Sequence, residues 1–151
     1  MDRNTSVDEL YHYGVKGMKW GVRHEKWKTK THKRIDKRYD KKVTKSQKKY
    51  DSQQRRAKNK QDFYAAKNSL KLDKYVHNNL RKLEHKRVND VSLEQYTRWG
   101  KAKTNHMVMT ALFGMPGNVV AVGSVIENQP MYRATRDDVK RVKSEYFKRK
   151  R

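Results

Sequence analysis

Residues 31–50 read THKRIDKRYDKKVTKSQKKY, and they sit inside a run from Arg23 to Val88 that contains neither glycine nor proline. Those two residues are the usual interrupters of a helix. What fills the run instead is Lys, Arg, Gln, Ala and Leu, which lose little on entering one. Sparse apolar residues recur at Ile35, Tyr39, Val43, Tyr50, Ala57 and Tyr64, then at Leu72, Val76, Leu80 and Leu83. Steps of four and seven return to one helical face, whereas the alternation of a half-buried strand is missing. The spacing predicts one very long helix, or two in series with a bend near Asn68 and Ser69. At 1.5 Å per residue, a helix of about 60 residues reaches roughly 90 Å. Its first half is too thin in apolar residues to make a globular core, so it reads as a basic helical arm.

Working outward, the chain has 151 residues, 39 Lys plus Arg and 16 Asp plus Glu, a net charge of +23. Residues 23–60 alone carry 17 cations and 4 carboxylates. Such an excess repels itself and calls for an anionic partner: nucleic acid, an anionic membrane surface or an acidic protein wall. Lys26, Lys28, Lys30, Lys33, Arg34, Lys37, Arg38, Lys41, Lys42, Lys45, Lys48, Lys49, Arg55, Arg56, Lys58 and Lys60 are the candidate phosphate contacts. Neutralising phosphates releases condensed counterions and gives salt-sensitive affinity without sequence preference. Trp20, Trp27, Tyr39 and Tyr50 are interleaved with these charges, where they would stack on single-stranded bases; Tyr39 and Tyr50 also lie on the apolar stripe, which favours packing. No helix-turn-helix spacing, zinc-finger ligand set or RNA-recognition aromatic motif appears, so reading of base sequence has no support.

Ahead of the arm, residues 11–23 read YHYGVKGMKWGVR. Gly14, Gly17 and Gly21 each cost about 1 kcal/mol of helical propensity, so the stretch is expected as a compact loop presenting aromatic and basic groups for docking. Upstream, Ser6 and Glu9 have the spacing of a capping box for a short helical turn. The candidate partner-docking residues are His12, Tyr13, Gly14, Gly17, Met18, Trp20, Gly21, Arg23 and Trp27. On His12 to Gly14, Val15, Gly17 to Arg23, the string resembles a His-(His/Tyr)-Gly-(Ile/Val)-x-Gly-(Met/Gln)-Lys-Trp-Gly-(Val/Ile)-Arg signature. That signature lies near an end of many phage-encoded proteins, often from genes beside the head and minor-structural cluster. Its relatives often continue with a second Arg and a Tyr-Gln-Asn-x-Asp-Gly-Ser-Leu-Thr segment, where this chain has His24, Glu25, Lys26 and Trp27. The resemblance implies a virion-associated protein of a phage or prophage; it carries no reaction chemistry.

Beyond the arm, Asn89-Asp90 breaks the helix, and Ser92 with Gln95 opens another that carries Leu93, Tyr96, Trp99 and Ala102 and runs to Phe113, weakened at Gly100. Residues 107–126 contain no charge, and Gly114-Met115-Pro116-Gly117-Asn118 makes a turn at their centre. They are expected to form the packed centre of a small helical region or a subunit interface; a membrane-inserting hairpin and a single span are the alternatives. Thr135 with Asp137 and Asp138 starts a last helix, with Val139, Val142, Tyr146 and Phe147 on its apolar face and four cations, Lys148 to Arg151, at its end.

Reaction chemistry finds no foothold. There is no cysteine, which removes disulfides, thiolate metal sites and thiol nucleophiles. The six histidines show no four-residue helical pair, and His77 and His85 lie about 12 Å apart along a helix, too far for one metal ion. Asp36, Asp40, Asp51, Asp62 and Asp73 read as partners of neighbouring cations on the same helix. The polar N-terminus lacks the apolar stretch of a secretory signal.

The expectation is therefore an all-α chain in three segments: a docking peptide at 1–22, a long basic helix or two in series at 23–90, and a small helical region at 91–151 with the apolar segment 107–126 at its centre. The expected function is that of a non-enzymatic phage structural or assembly protein, without cofactor or metal. It docks on a head or other virion protein and contacts DNA non-specifically, in the virion or in the host cytoplasm during assembly, and its apolar segment either folds the C-terminal part or joins copies into a homo-oligomer. A membrane-active lysis or genome-delivery protein inserting residues 107–126, and a cytoplasmic nucleic-acid-binding regulator, are the alternatives.

Overall fold

The computed structural model describes residues 20–113 and 124–150. These residues are all-α: α1 is Trp20–Arg56, α2 Lys60–Asn89, α3 Leu93–Phe113 and α4 Arg136–Lys148, with a helical turn at 124–127. The basic arm is two helices in series. The interruption falls at residues 57–59 rather than at Asn68 and Ser69, which lie inside α2. Its cause is local: the Asn59 side chain accepts the Asp62 amide at 2.8 Å, satisfying a donor that the first turn of α2 leaves without a carbonyl. The break shifts the register. Val76 and Leu80 are buried as the spacing predicts, but Tyr64 is 59% exposed and Ala66 is buried in its place.

The other starts follow their caps. Ser92 Oγ accepts from the Gln95 amide at 3.1 Å at the start of α3. Thr135 and Asp138 form a full capping box at α4, the Thr135 oxygen taking the Asp138 amide and the Asp138 carboxylate taking the Thr135 amide at 2.8 Å. The expected loop at 11–23 is helical from Trp20 onward, so Gly21 and Arg23 belong to the first turn of α1. His12, Tyr13, Gly14, Gly17 and Met18 lie outside the described residues, as does the Gly114–Asn118 turn. No described helix is long and apolar enough to cross a membrane.

The chain divides into two compact units, each assembled from two separated stretches. The first takes residues 1–30 and 88–131, the second residues 31–87 and 132–151. In the first, Trp20 and His24 are buried with Val88, Val91, Thr97 and Ala102. Trp20, His24, Trp27, Tyr96 and Trp99 form a ladder of rings with centroids between 5.1 and 6.3 Å apart, the range in which aromatic pairs attract. Burial, and next the charge of Lys28, hold the His24 imidazole below its ordinary pKa. Met107, Val108 and Ile126 are well exposed, so these parts of the apolar segment do not form the packed centre expected of them.

In the second unit, Ile35 and Tyr39 of α1 are 1% exposed, and Val76 and Leu80 of α2 and Val142 of α4 are buried as well. One carboxylate sits among them. Glu84 is 3% exposed and receives the Arg38 guanidinium, the Tyr39 hydroxyl at 2.9 Å and the Ala134 amide at 2.9 Å. A lone buried carboxylate costs several kcal/mol, and these three donors offset that cost while fixing α1 and the entry to α4 against α2. Arg87 adds a two-pronged pair with Asp138 at 2.9 and 3.0 Å. Of the expected apolar face of α4, Val142 is buried and Tyr146 half-buried, but Phe147 is 55% exposed.

Candidate nucleic-acid interface

A helix returns to the same side every three to four residues, so a cation at each return makes a charged line. On α1 this condition is met by Arg34, Lys37, Lys41, Lys45 and Lys48, on the side away from Ile35 and Tyr39. All five are exposed. They line open grooves whose other walls are Lys33, Arg38, Lys42 and Thr44, together with Asp36 and Asp40.

The two carboxylates are the only anions in that lining, and both are already engaged. Arg81 of α2 reaches Asp36 at 2.6 Å and Asp40 at 3.1 Å. His85 Nε2 lies 2.8 Å from the same Asp36 oxygen. Burial alone would raise the Asp36 pKa, but the hydrogen bonds from His85 and Arg81 outweigh it and hold the carboxyl below the usual range. Asp36 thus stays ionised and is paired from α2, as is Asp40, so the negative charge in the groove lining is largely cancelled. Of the acids expected to pair along their own helix, Asp36 and Asp40 pair across helices and Asp73 of α2 accepts from Ser46 of α1 at 3.1 Å, whereas Asp51 accepts from Gln47 of its own helix at 3.0 Å.

Behind Asp36, His32 and His85 stack at 4.7 Å with their Nδ1 atoms 2.5 Å apart. A carboxylate only accepts, so Nε2 of His85 is its donor. In a neutral His85 the Nδ1 then accepts, and His32 donates. Two nitrogens this close share one proton and leave no room for a metal ion between them. Among the described residues, no group of three or more potential ligands is placed to hold one.

Of the sixteen candidate phosphate contacts, Lys26, Lys30, Lys33, Arg34, Lys37, Lys41, Lys42, Lys45, Lys48, Lys49, Arg55, Arg56, Lys58 and Lys60 are exposed. Lys28 and Arg38 are half-buried, the first 3.6 Å from Glu25 and the second committed to Glu84. Lys42 lies 4.9 Å over the Tyr39 ring, and burial, then the charge of Arg38, lowers its pKa. Lys26, Lys28 and Lys30 belong to the first unit, while those from Lys33 on belong to the second.

Trp20 and Tyr39 are buried, Tyr50 is half-buried, and Trp27 sits in the ring ladder of the first unit. Of the docking candidates within the described residues, Trp20 is 6% exposed, with the Arg23 guanidinium 5.5 Å from its ring centroid, while Gly21, Arg23 and Trp27 are half-buried. Sequence reasoning missed Arg81, Glu84 and the His32–His85 pair, because each works across helices. Glu84 alone left a trace, as a carboxylate four residues beyond Leu80 and four before Val88 on an otherwise apolar stripe.

A family of unknown function (DUF7211) matches residues 3–27, the stretch that contains the glycine-aromatic string and ends on Trp27. No curated protein and no solved structure matches the chain.

Proposed function

We propose that this chain is a non-enzymatic structural or assembly protein of a phage or prophage that holds nucleic acid by its phosphates, without reading sequence. The observation that carries the proposal is the exposed line Arg34, Lys37, Lys41, Lys45 and Lys48 on α1, whose neighbouring carboxylates are cancelled by Arg81. Phosphates carry a dense, regular negative charge, and cations one turn apart along a helix neutralise several at once. Residues 3–27 supply the second half of the reading, attachment to a head or other virion protein. The support there is the resemblance of His12–Arg23 to the phage signature.

Fluorescence anisotropy with unrelated duplexes tests the first half. About five phosphate contacts give a slope near −4.5 in log affinity against log salt, so affinity falls about 500-fold between roughly 50 and 200 mM salt. Reversing Lys37, Lys41 and Lys45 to Glu removes most of that slope. Affinity unchanged across this range overturns the phosphate reading. Mass spectrometry of purified particles tests the second half, and absence of the chain from them favours the cytoplasmic regulator. The exposure of Met107, Val108 and Ile126 favours one other reading, a membrane-active protein that inserts residues 107–126. Flotation with anionic liposomes in the absence of nucleic acid distinguishes it.

A further inference from the structure

The second unit carries an aromatic cluster that the packing of its core does not explain. At the end of α4, Tyr146 lies 5.1 Å from Tyr75 of α2, and Phe147 lies 5.6 Å from Tyr146 at 81°. The Arg149 guanidinium stands 5.8 Å over the Tyr75 ring, and the Lys150 ammonium 5.1 Å over Tyr146. Phe147 is 55% exposed and, among the described residues, has no cation over it. The hydroxyl of Tyr75 is buried without a hydrogen-bond partner.

A lone exposed phenylalanine on a helix is ordinary surface. This one differs in two respects. Its ring is braced edge-on by Tyr146, which is itself braced by Tyr75, so holding it in place costs little further side-chain entropy. It also stands at the start of the cationic run Lys148 to Arg151, where an apolar partner brings no compensating charge. A nucleobase is an aromatic face that arrives attached to a phosphate, and single strands expose that face while duplexes hide it.

We infer that Tyr75, Tyr146 and Phe147 form a stacking platform for single-stranded nucleic acid, on which a base lies against Phe147 while Arg149 and Lys150 hold the flanking phosphates. The platform lies apart from the α1 line in sequence and adds a strand preference to the proposed function, on which it rests in taking nucleic acid as the partner.

The test compares the full chain with its Phe147→Leu and Phe147→Trp variants, using labelled oligo-dT and oligo-U of about 20 nucleotides and a duplex of equal length. Leu keeps the bulk of an exposed residue and removes the ring, and matching circular dichroism spectra establish that the fold is kept. Phe147→Leu is expected to weaken single-strand binding about ten-fold and to leave duplex binding within about two-fold, while Phe147→Trp restores it. Loss with oligo-dT, oligo-U or both supports the platform, and the arm that responds identifies DNA or RNA. Equal effects on single strand and duplex, or none on either, overturn it. If single strands bind through Phe147 but duplex does not bind at all, the α1 phosphate reading falls and the platform stands. If no nucleic acid binds, both fall.

Discussion

Gly100 shows how one residue reads differently alone and in its surroundings. As a glycine in mid-helix it is a weak point of α3, and replacing it by alanine would add about 1 kcal/mol from propensity alone. In the fold, the Trp20 ring occupies the space that a β-carbon would take, touching it at Cη2 and Cζ3. Overpacking a buried contact costs about 1–3 kcal/mol, which exceeds the propensity gain. Gly100→Ala is therefore expected to lower the stability of the first unit, and denaturant melts followed by near-ultraviolet circular dichroism check it. A more stable variant would mean that Trp20 does not pack there. Sequence marked both residues, Trp20 as a docking candidate and Gly100 as a weakness, but nothing in a linear string links positions eighty residues apart.

At the scale of elements, starts and stops were legible because they are made within a few residues. Ser92 with Gln95, the break at Asn89-Asp90 and the helix start at Thr135 all stand where the sequence placed them. The break before α2 has the same kind of signal, Asn59 followed by Asp62, but without a glycine or proline beside it the lysine-rich run reads through. Docking of α4 was not legible, since it depends on Arg87 of α2. The Thr135 amide, and with it Arg87, holds Asp138 down to about 2, against the opposing effect of burial. A carboxyl lowered on folding stabilises the folded state above its unfolded pKa and loses that contribution as pH falls through the folded value. Asp138 therefore contributes on the order of 2 kcal/mol at neutral pH, lost between about pH 4 and 2. Thermal melts across that range should show an acid-side decline that Asp138→Asn flattens, with the variant already less stable at pH 7. A variant as acid-sensitive as the parent would place the titration elsewhere.

For the molecule as a whole, the net charge of +23 pulls two properties in opposite directions. Salt screens repulsion among the cations, so the melting temperature is expected to rise from about 10 to 150 mM salt, while screening and counterion competition weaken a bound polyanion over the same range. Paired measurements of melting and anisotropy check this, and parallel trends would contradict it. Charge and helical content were plain in the composition and in the glycine-free run. The pairing of residues 20–30 with 88–131, and of 31–87 with 132–151, was not, because contiguous segments such as 23–90 are the natural division of a string. That pairing has a consequence for biosynthesis. A chain emerging from the ribosome makes the first helix early, yet its opening turns wait for residues 88 and beyond, and the rest waits for α4. Until those later segments are made, the nascent polypeptide is a cationic, unfinished thread beside ribosomal RNA.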